Sequence, residues 1–167
     1  MEQDKHIVKS YDDEMKEINN NILDIGSLVE NQLKRALSAL KNQDTALAEK
    51  VIEDDNIIDE KFRELDQNLV LILGKRQPMA TDLRTIFSAI KMNKDLERLG
   101  DHATNIAKRT AMIELVLPEK PVRDILRIGE HVQIMIGKVI QSFVNFSAEE
   151  AKVVWKMDEE IDDEYLG

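Results

Sequence analysis

The chain contains no cysteine, which excludes disulfides, thiolate metal sites and a cysteine nucleophile. Aromatic residues make up only 4% of it, leaving few platforms on which bases could stack. Cations are in deficit, with 23 Lys and Arg against 33 Asp and Glu and a formal net charge of -10. Nucleic-acid binding needs clustered Lys and Arg, so no nucleic-acid partner is expected; a cation or a basic protein surface suits the chain better. Its apolar runs are short, such as Leu69–Leu73, far below the roughly 20 residues of a membrane-spanning helix. The opening MEQDKHIVKS is too polar for a secretory signal, and a cytoplasmic protein is expected. What remains is ordinary globular material: 43% hydrophobic residues in 167, enough to bury a core.

Proline and glycine are also scarce, at three and six residues, so each break they mark carries weight. Between the breaks the helical period dominates. Met15, Ile18, Ile22, Ile25, Val29, Leu33, Ala36, Leu37 and Leu40 recur at three- and four-residue steps and form one apolar stripe. Asp44 suits the N-cap of a second helix carrying Leu47, Val51, Ile58, Phe62, Leu65, Leu69 and Ile72 and ending at Gly74. A third helix enters near Pro78 and runs to about Ile113. Pro118 and Pro121 then interrupt the chain. A fourth helix is expected from Val122 to about Val144 and a fifth from near Ser147. Long helices joined by short loops predict an all-α fold of antiparallel bundles.

A shift of 103 residues aligns the chain with itself. Ile22, Leu23, Ile25, Gly26 and Val29 fall on Ile125, Leu126, Ile128, Gly129 and Val132. In the same frame Asn42 meets Asn145, Val51 meets Val154, and Asp55 and Asp59 meet Asp158 and Asp162. Matched hydrophobic periods would not supply the Gly, the Asn and both Asp together, so the frame indicates a duplicated supersecondary unit. The expected organisation is a three-helix repeat over residues 1–113 and a partial second repeat over 120–167. The second unit breaks off at Gly167, before its third helix. On this reading the chain is incomplete, and the apolar stripe through Ile125, Ile128, Val132, Ile136, Val139 and Phe143 lacks a partner unless a second copy covers it.

Three acidic pairs at i, i+4 stand out: Asp55 with Asp59, Glu97 with Asp101, and Asp158 with Asp162. That spacing puts both carboxylates on one helix face, where they repel unless a hard cation sits between them. Chance alone gives roughly six such pairs in a chain this acidic, and most are solvated faces. These three differ in context. Asp55 and Asp59 border the apolar stripe, and two of the pairs are equivalent in the repeat. Glu97 and Asp101 lie beside Gly100, Ala103 and Ala107, small residues that admit another helix closely. Asn105, one turn beyond Asp101, could add a carbonyl oxygen.

Other candidates are weaker. His6 is near the N-terminus, His102 points about 100° away from Asp101, and His131 replaces Leu28 in the repeat, which favours packing over ligation. Met79, Met92, Met112 and Met135 are expected to fill gaps in the core. There is no HExxH, no phosphate-binding glycine loop and no arrangement of a catalytic triad, so no enzyme is expected.

The stretch from Asp95 to Ala107, DLERLGDHATNIA, with Arg76-Gln77-Pro78 and Asp82-Leu83-Arg84 ahead of it, resembles the signature of the PhoU family. That resemblance implies two three-helix repeats, each contributing acidic motifs on its second and third helices to a metal cluster. Carried over, it makes Asp55, Asp59, Glu97, Asp101, Asp158 and Asp162 metal ligands, with the fourth motif lacking a counterpart. The metal implied is divalent or trivalent: iron, manganese, magnesium, zinc or nickel. The function implied is negative regulation of the phosphate regulon, through a Pst-type importer ATPase and a phosphate-sensing histidine kinase. A homodimer, reaching the membrane only peripherally through those partners, is expected. The rival readings are a carboxylate-bridged metal-cluster enzyme, which would want a Glu-x-x-His this chain lacks, and an accessory protein of a different phosphate transporter.

Overall fold

The computed structural model describes the backbone of every residue except 1, 77, 79 and 167, and side chains other than those four and residues 2–11 and 160–166. Five helices follow one another: α1 (Glu2–Asn42), α2 (Thr45–Arg76), α3 (Thr81–Ala111), α4 (Glu119–Val144) and α5 (Ala148–Leu166). No strand occurs among the described residues. α1 has 41 residues and spans about 60 Å at 1.5 Å per residue.

α1, α2 and α3 pack mutually around Ile22, Ile25, Val29, Val51, Leu65, Leu69, Ile86 and Leu96, all at most 2% exposed. Among the described residues, α4 touches only α1 and α5, and α5 touches only α4. The second pair of helices therefore hangs on one face of α1.

Three expected boundaries move, each for a local reason. Gly74 does not end α2, because its backbone stays in the right-handed helical region and the helix continues to Arg76. Arg76 then anchors that end, donating from Nε to Glu14 Oε2 at 3.0 Å and from Nη2 to Oε1 at 2.8 Å. α3 ends at Ala111, two residues before Ile113. α4 begins at Glu119 with Pro118 in the N-cap position, three residues before Val122. Pro121 is tolerated there because a first-turn residue has no intrahelical use for its N–H.

The two helix-to-helix turns obey the repeat atom by atom. The Gln43 and Phe146 backbones are both left-handed, at φ 50° and 51°. Asp44 N donates to Ala39 O, and Ser147 N donates to Ser142 O, each at 2.9 Å. The cap side chains repeat as well: Leu47 N donates to Asp44 Oδ1 at 2.9 Å and Glu150 N to Ser147 Oγ at 3.2 Å. Neither left-handed residue is glycine, so both turns hold conformational strain. Phe146→Gly should relieve it and stabilise the α4–α5 pair by about 1 kcal/mol, read from urea melts. An unchanged or lower midpoint would mean that the Phe143–Phe146 ring contact, with centroids 6.3 Å apart, outweighs the strain.

The α1–α4 joint is pseudo-symmetric. A Cβ at Gly26 would fall 2.0 Å from Ile140 Cδ1, and one at Gly129 would fall 2.5 Å from Leu37 Cδ1. Gly26 and Gly129 are repeat equivalents, and so are Leu37 and Ile140. Each glycine thus receives the partner repeat's copy of the same aliphatic residue. Gln133 Nε2 donates to Glu30 O at 3.3 Å, and these two are also equivalents, placing the pseudo-dyad beside them. The helices run antiparallel, as such a dyad requires.

On the stripe of α4, Ile136 is buried at 2% while Ile125 remains 45% exposed. Ile128, Val132, Val139 and Phe143 lie between these limits. One expected core residue is misplaced: Met112 is 79% exposed, because the chain has already left α3 at that point. Met92 does pack against the core, Met135 is half-buried, and Met79 lies outside the described residues.

Candidate metal centre

Two turns of α2 and one of α3 meet at three acids. Asp55 and Asp59 each offer a carboxylate oxygen within 4.8 Å of one on Asp101, and of each other. Asp55 and Asp59 are half-buried and Asp101 is exposed, so the group opens to solvent on the α3 side.

Behind the acids stands a polar network that sequence reasoning missed. Gln32 of α1 is only 1% exposed. Its Nε2 donates to Asp55 Oδ1 and to Thr104 Oγ1, both at 2.8 Å. Thr104 Oγ1 in turn donates to Asp55 Oδ1 at 2.8 Å. One oxygen of Asp55 is thereby occupied and its carboxylate plane fixed, leaving Oδ2 available to a ligand. Gly100 makes the arrangement possible, since a Cβ there would sit 3.1 Å from Gln32 Oε1. Ala103 and Ala107, both 0% exposed, continue the close approach of α3 to its neighbours. Gln32 was detectable as a polar residue inside the α1 stripe, and its repeat equivalent is the apolar Met135. Thr104→Val should leave Asp55 with one donor fewer and cost about 1–2 kcal/mol in thermal or urea unfolding. An unchanged melt would show that the hydroxyl is not holding the carboxylate.

The charge at the centre is felt by Asp59. Burial pushes its carboxyl above the usual aspartate range; Asp55 and Asp101 push the same way, Arg63 opposes them, and Glu97 adds to the rise. Glu97 therefore belongs to the field of the centre, but its carboxylate is turned to Lys94, with which it forms an i, i+3 ion pair. Of the four acids expected to converge, three meet and Glu97 stands at the edge. Asn105 and His102 are both exposed on α3. Asp158 is exposed on α5, and the side chain of Asp162 lies outside the described residues. His131 is half-buried, as its repeat position suggested, and the His6 side chain lies outside the described residues.

The donor set fits a hard cation. Every ligand atom is a carboxylate oxygen, and opposite ligands of one Mg²⁺ or Ca²⁺ ion lie about 4–5 Å apart. The three oxygens lie within 4.8 Å of one another, inside the reach of one ion's ligand sphere. Nothing in the triad offers nitrogen or sulfur, which disfavours zinc against magnesium, manganese, calcium or ferric iron.

An all-α chain of five helices, with acids converging between the second and third, is thus the class of protein defined here. The profile of the PhoU domain matches residues 22–110 and 125–167, and the chain belongs to that family. It is 37% identical over 158 residues to the phosphate-specific transport system accessory protein PhoU homolog of Rhizobium meliloti (strain 1021), covering 94% of this chain and 67% of that protein. It is 35% identical over 164 residues to the phosphate-specific transport system accessory protein PhoU of Escherichia coli (strain K12), covering 98% and 68%. The crystal structure of PhoU from Pseudomonas aeruginosa superposes with a TM-score of 0.88 at 36% identity, over 93% of this chain and 75% of that one. The chain spans about two thirds of the length of these curated relatives. Their names describe accessory proteins, not enzymes.

Proposed function

We propose that the chain is a metal-binding accessory protein of phosphate uptake. It acts as a negative regulator of the phosphate regulon through a Pst-type importer ATPase and a phosphate-sensing histidine kinase. The observation that carries the metal part is the meeting of Asp55, Asp59 and Asp101 with Asp55 braced from behind by Gln32 and Thr104. Bracing of a ligand by outer hydrogen bonds is the usual construction of a metal site. The regulatory part is supported by likeness, over nearly the whole chain, to proteins named for phosphate-specific transport.

A bound divalent or trivalent ion would cancel the repulsion among the acids and supply no redox or hydrolytic step in this reading. Asp55, Asp59 and Asp101 hold it, and Glu97 is available if it leaves Lys94. In a strain lacking the protein, alkaline phosphatase should be expressed in abundant phosphate, and the wild-type gene should restore repression. Asp59→Asn/Asp101→Asn should restore it poorly while accumulating to the same level. Repression that persists in the deletion strain sinks the regulatory reading; full rescue by the double variant sinks the metal's part in it.

A further inference from the structure

Gln32 stands where an apolar residue would pack better. It lies on the buried stripe of α1, 1% exposed, and its repeat equivalent is Met135. Its Oε1 is buried and accepts no hydrogen bond among the described residues, and an unpaired buried acceptor costs stability. Only the other end of the amide is employed. Nε2 has two protons, and Asp55 Oδ1 and Thr104 Oγ1 receive them at 2.8 Å each. The reverse orientation would set Oε1 against the carboxylate, so Asp55 itself dictates which end of the amide faces it.

What Gln32 gains for the molecule is concentrated on one atom. Asp55 Oδ1 accepts from both Gln32 Nε2 and Thr104 Oγ1, each at 2.8 Å. A carboxylate oxygen has two lone pairs, and two donors leave none for a cation. The donated protons also turn their positive ends toward any ion that would approach Oδ1. Bidentate grip by a carboxylate needs both of its oxygens, so at Asp55 it is blocked. Ca²⁺ completes a large, irregular oxygen sphere partly with bidentate carboxylates, whereas Mg²⁺ and Mn²⁺ take a tight octahedron of single oxygens and waters. Asp101 is exposed, which leaves room for such waters on the α3 side.

We propose that Gln32 and Thr104 are positioning residues that set the ion preference of the centre, selecting a small octahedral ion, Mg²⁺ or Mn²⁺, over Ca²⁺ by closing Asp55 Oδ1. This presupposes that the acids bind an ion, as proposed above. Neither residue need touch the ion; both act through Asp55. The discrimination belongs to the first repeat alone. Asp158, the equivalent of Asp55, is exposed, and Met135 has no N–H with which to hold it as Gln32 holds Asp55.

Mn²⁺ and Ca²⁺ are the probes. Free Mn²⁺ has a sharp paramagnetic resonance signal that fades on binding. Titrating the purified chain therefore gives a Mn²⁺ dissociation constant, and recovery of the signal on adding Ca²⁺ gives the competitor's. The Asp59→Asn/Asp101→Asn variant measures ions held elsewhere on this acidic surface, which are subtracted. Wild type should hold Mn²⁺ more tightly than Ca²⁺, and Gln32→Met should reduce that ratio about tenfold. Thr104→Val should reduce it by a smaller factor, and it carries the test alone if Gln32→Met fails to fold. Thr104→Ser keeps the hydroxyl and should keep the wild-type ratio. The proposal is overturned if wild type prefers Ca²⁺, or if Gln32→Met and Thr104→Val weaken both ions equally and leave the ratio unchanged. That second result would make both residues mere scaffold behind a real metal centre. Equal Mn²⁺ binding by wild type and by Asp59→Asn/Asp101→Asn would instead remove the centre itself, and the proposal with it.

Discussion

Gly129→Val should destabilise the protein by about 2–3 kcal/mol and loosen α4–α5 from α1. The reason is geometric. A Cβ at this position meets Leu37 Cδ1 at 2.5 Å, Cδ2 at 2.8 Å and Cγ at 3.2 Å, so no single methyl rotation clears it. Gly26 is more forgiving, because its hypothetical Cβ strikes mainly the far end of Ile140, at 2.0 Å for Cδ1 but 3.1 Å for Cγ1. Gly26→Ala should therefore cost less than Gly129→Ala. Gly74 supplies the opposite sign. Nothing lies within 4 Å of its Cβ position, so Gly74→Ala should stabilise α2 by about 0.5–1 kcal/mol through helix propensity alone. Combining Gly129→Val with Leu37→Ala should recover part of the loss, and the coupling energy of the double-mutant cycle measures the contact. Simple additivity in that cycle would show that the two residues do not meet as described.

The acidic centre has a stability effect whose sign depends on metal. In chelator, Asp59→Asn should stabilise the protein by on the order of 1 kcal/mol at neutral pH, because one of three mutually repelling carboxylates is gone. With excess metal the same variant should be the less stable one, having lost a gain of about 2.7 kcal/mol at 100 times the dissociation constant. A substitution that merely damaged the scaffold would lower the melting temperature in both conditions, and that result would remove the site. The pH dependence follows from the raised Asp59 carboxyl. The folded state holds that proton more tightly than the unfolded state does. Its contribution is present at acid pH and is lost as pH rises through the folded value, above the usual aspartate range. Glu14 works in reverse, held low by its hydrogen bonds from Arg76, and its contribution disappears as pH falls below the ordinary glutamate range. Metal-free protein should thus gain from mild acid at Asp59 before losing Glu14 in stronger acid, while metal binding weakens over the same descent.

The helices and the repeat were readable in advance because both are local patterns. Asp44 caps α2 as its residue type suggested, and the frame of 103 residues reappears in the two turns and the glycine joint. Misread boundaries came from residues with two meanings. Gly74 reads as a terminator although a glycine also sits inside helices, and Pro121 reads as excluded although a first turn accepts it. The carboxylate centre was readable from spacing up to the point where a competitor intervened. Lys94 lies three residues before Glu97 on the same face and captures it, an i, i+3 pairing that the sequence does contain. Gln32 could not have been assigned to Asp55 and Thr104 from sequence. Its partners are 23 and 72 residues away, and the contact depends on how closely α3 approaches at Gly100.

Among the described residues, α1 is the only helix that both halves of the molecule share. One of its faces carries Gln32 to the acids; another carries Gly26, Glu30 and Leu37 to α4. Apart from the 112–118 linker, no other path joins the two among the described residues. Amide hydrogen exchange should accordingly divide the chain into two cooperative units, with α4 and α5 opening at lower free energy than α1–α3. A displacement at Asp55 can reach α4 only as a rotation or slide of α1, which makes that helix a drive shaft between the repeats.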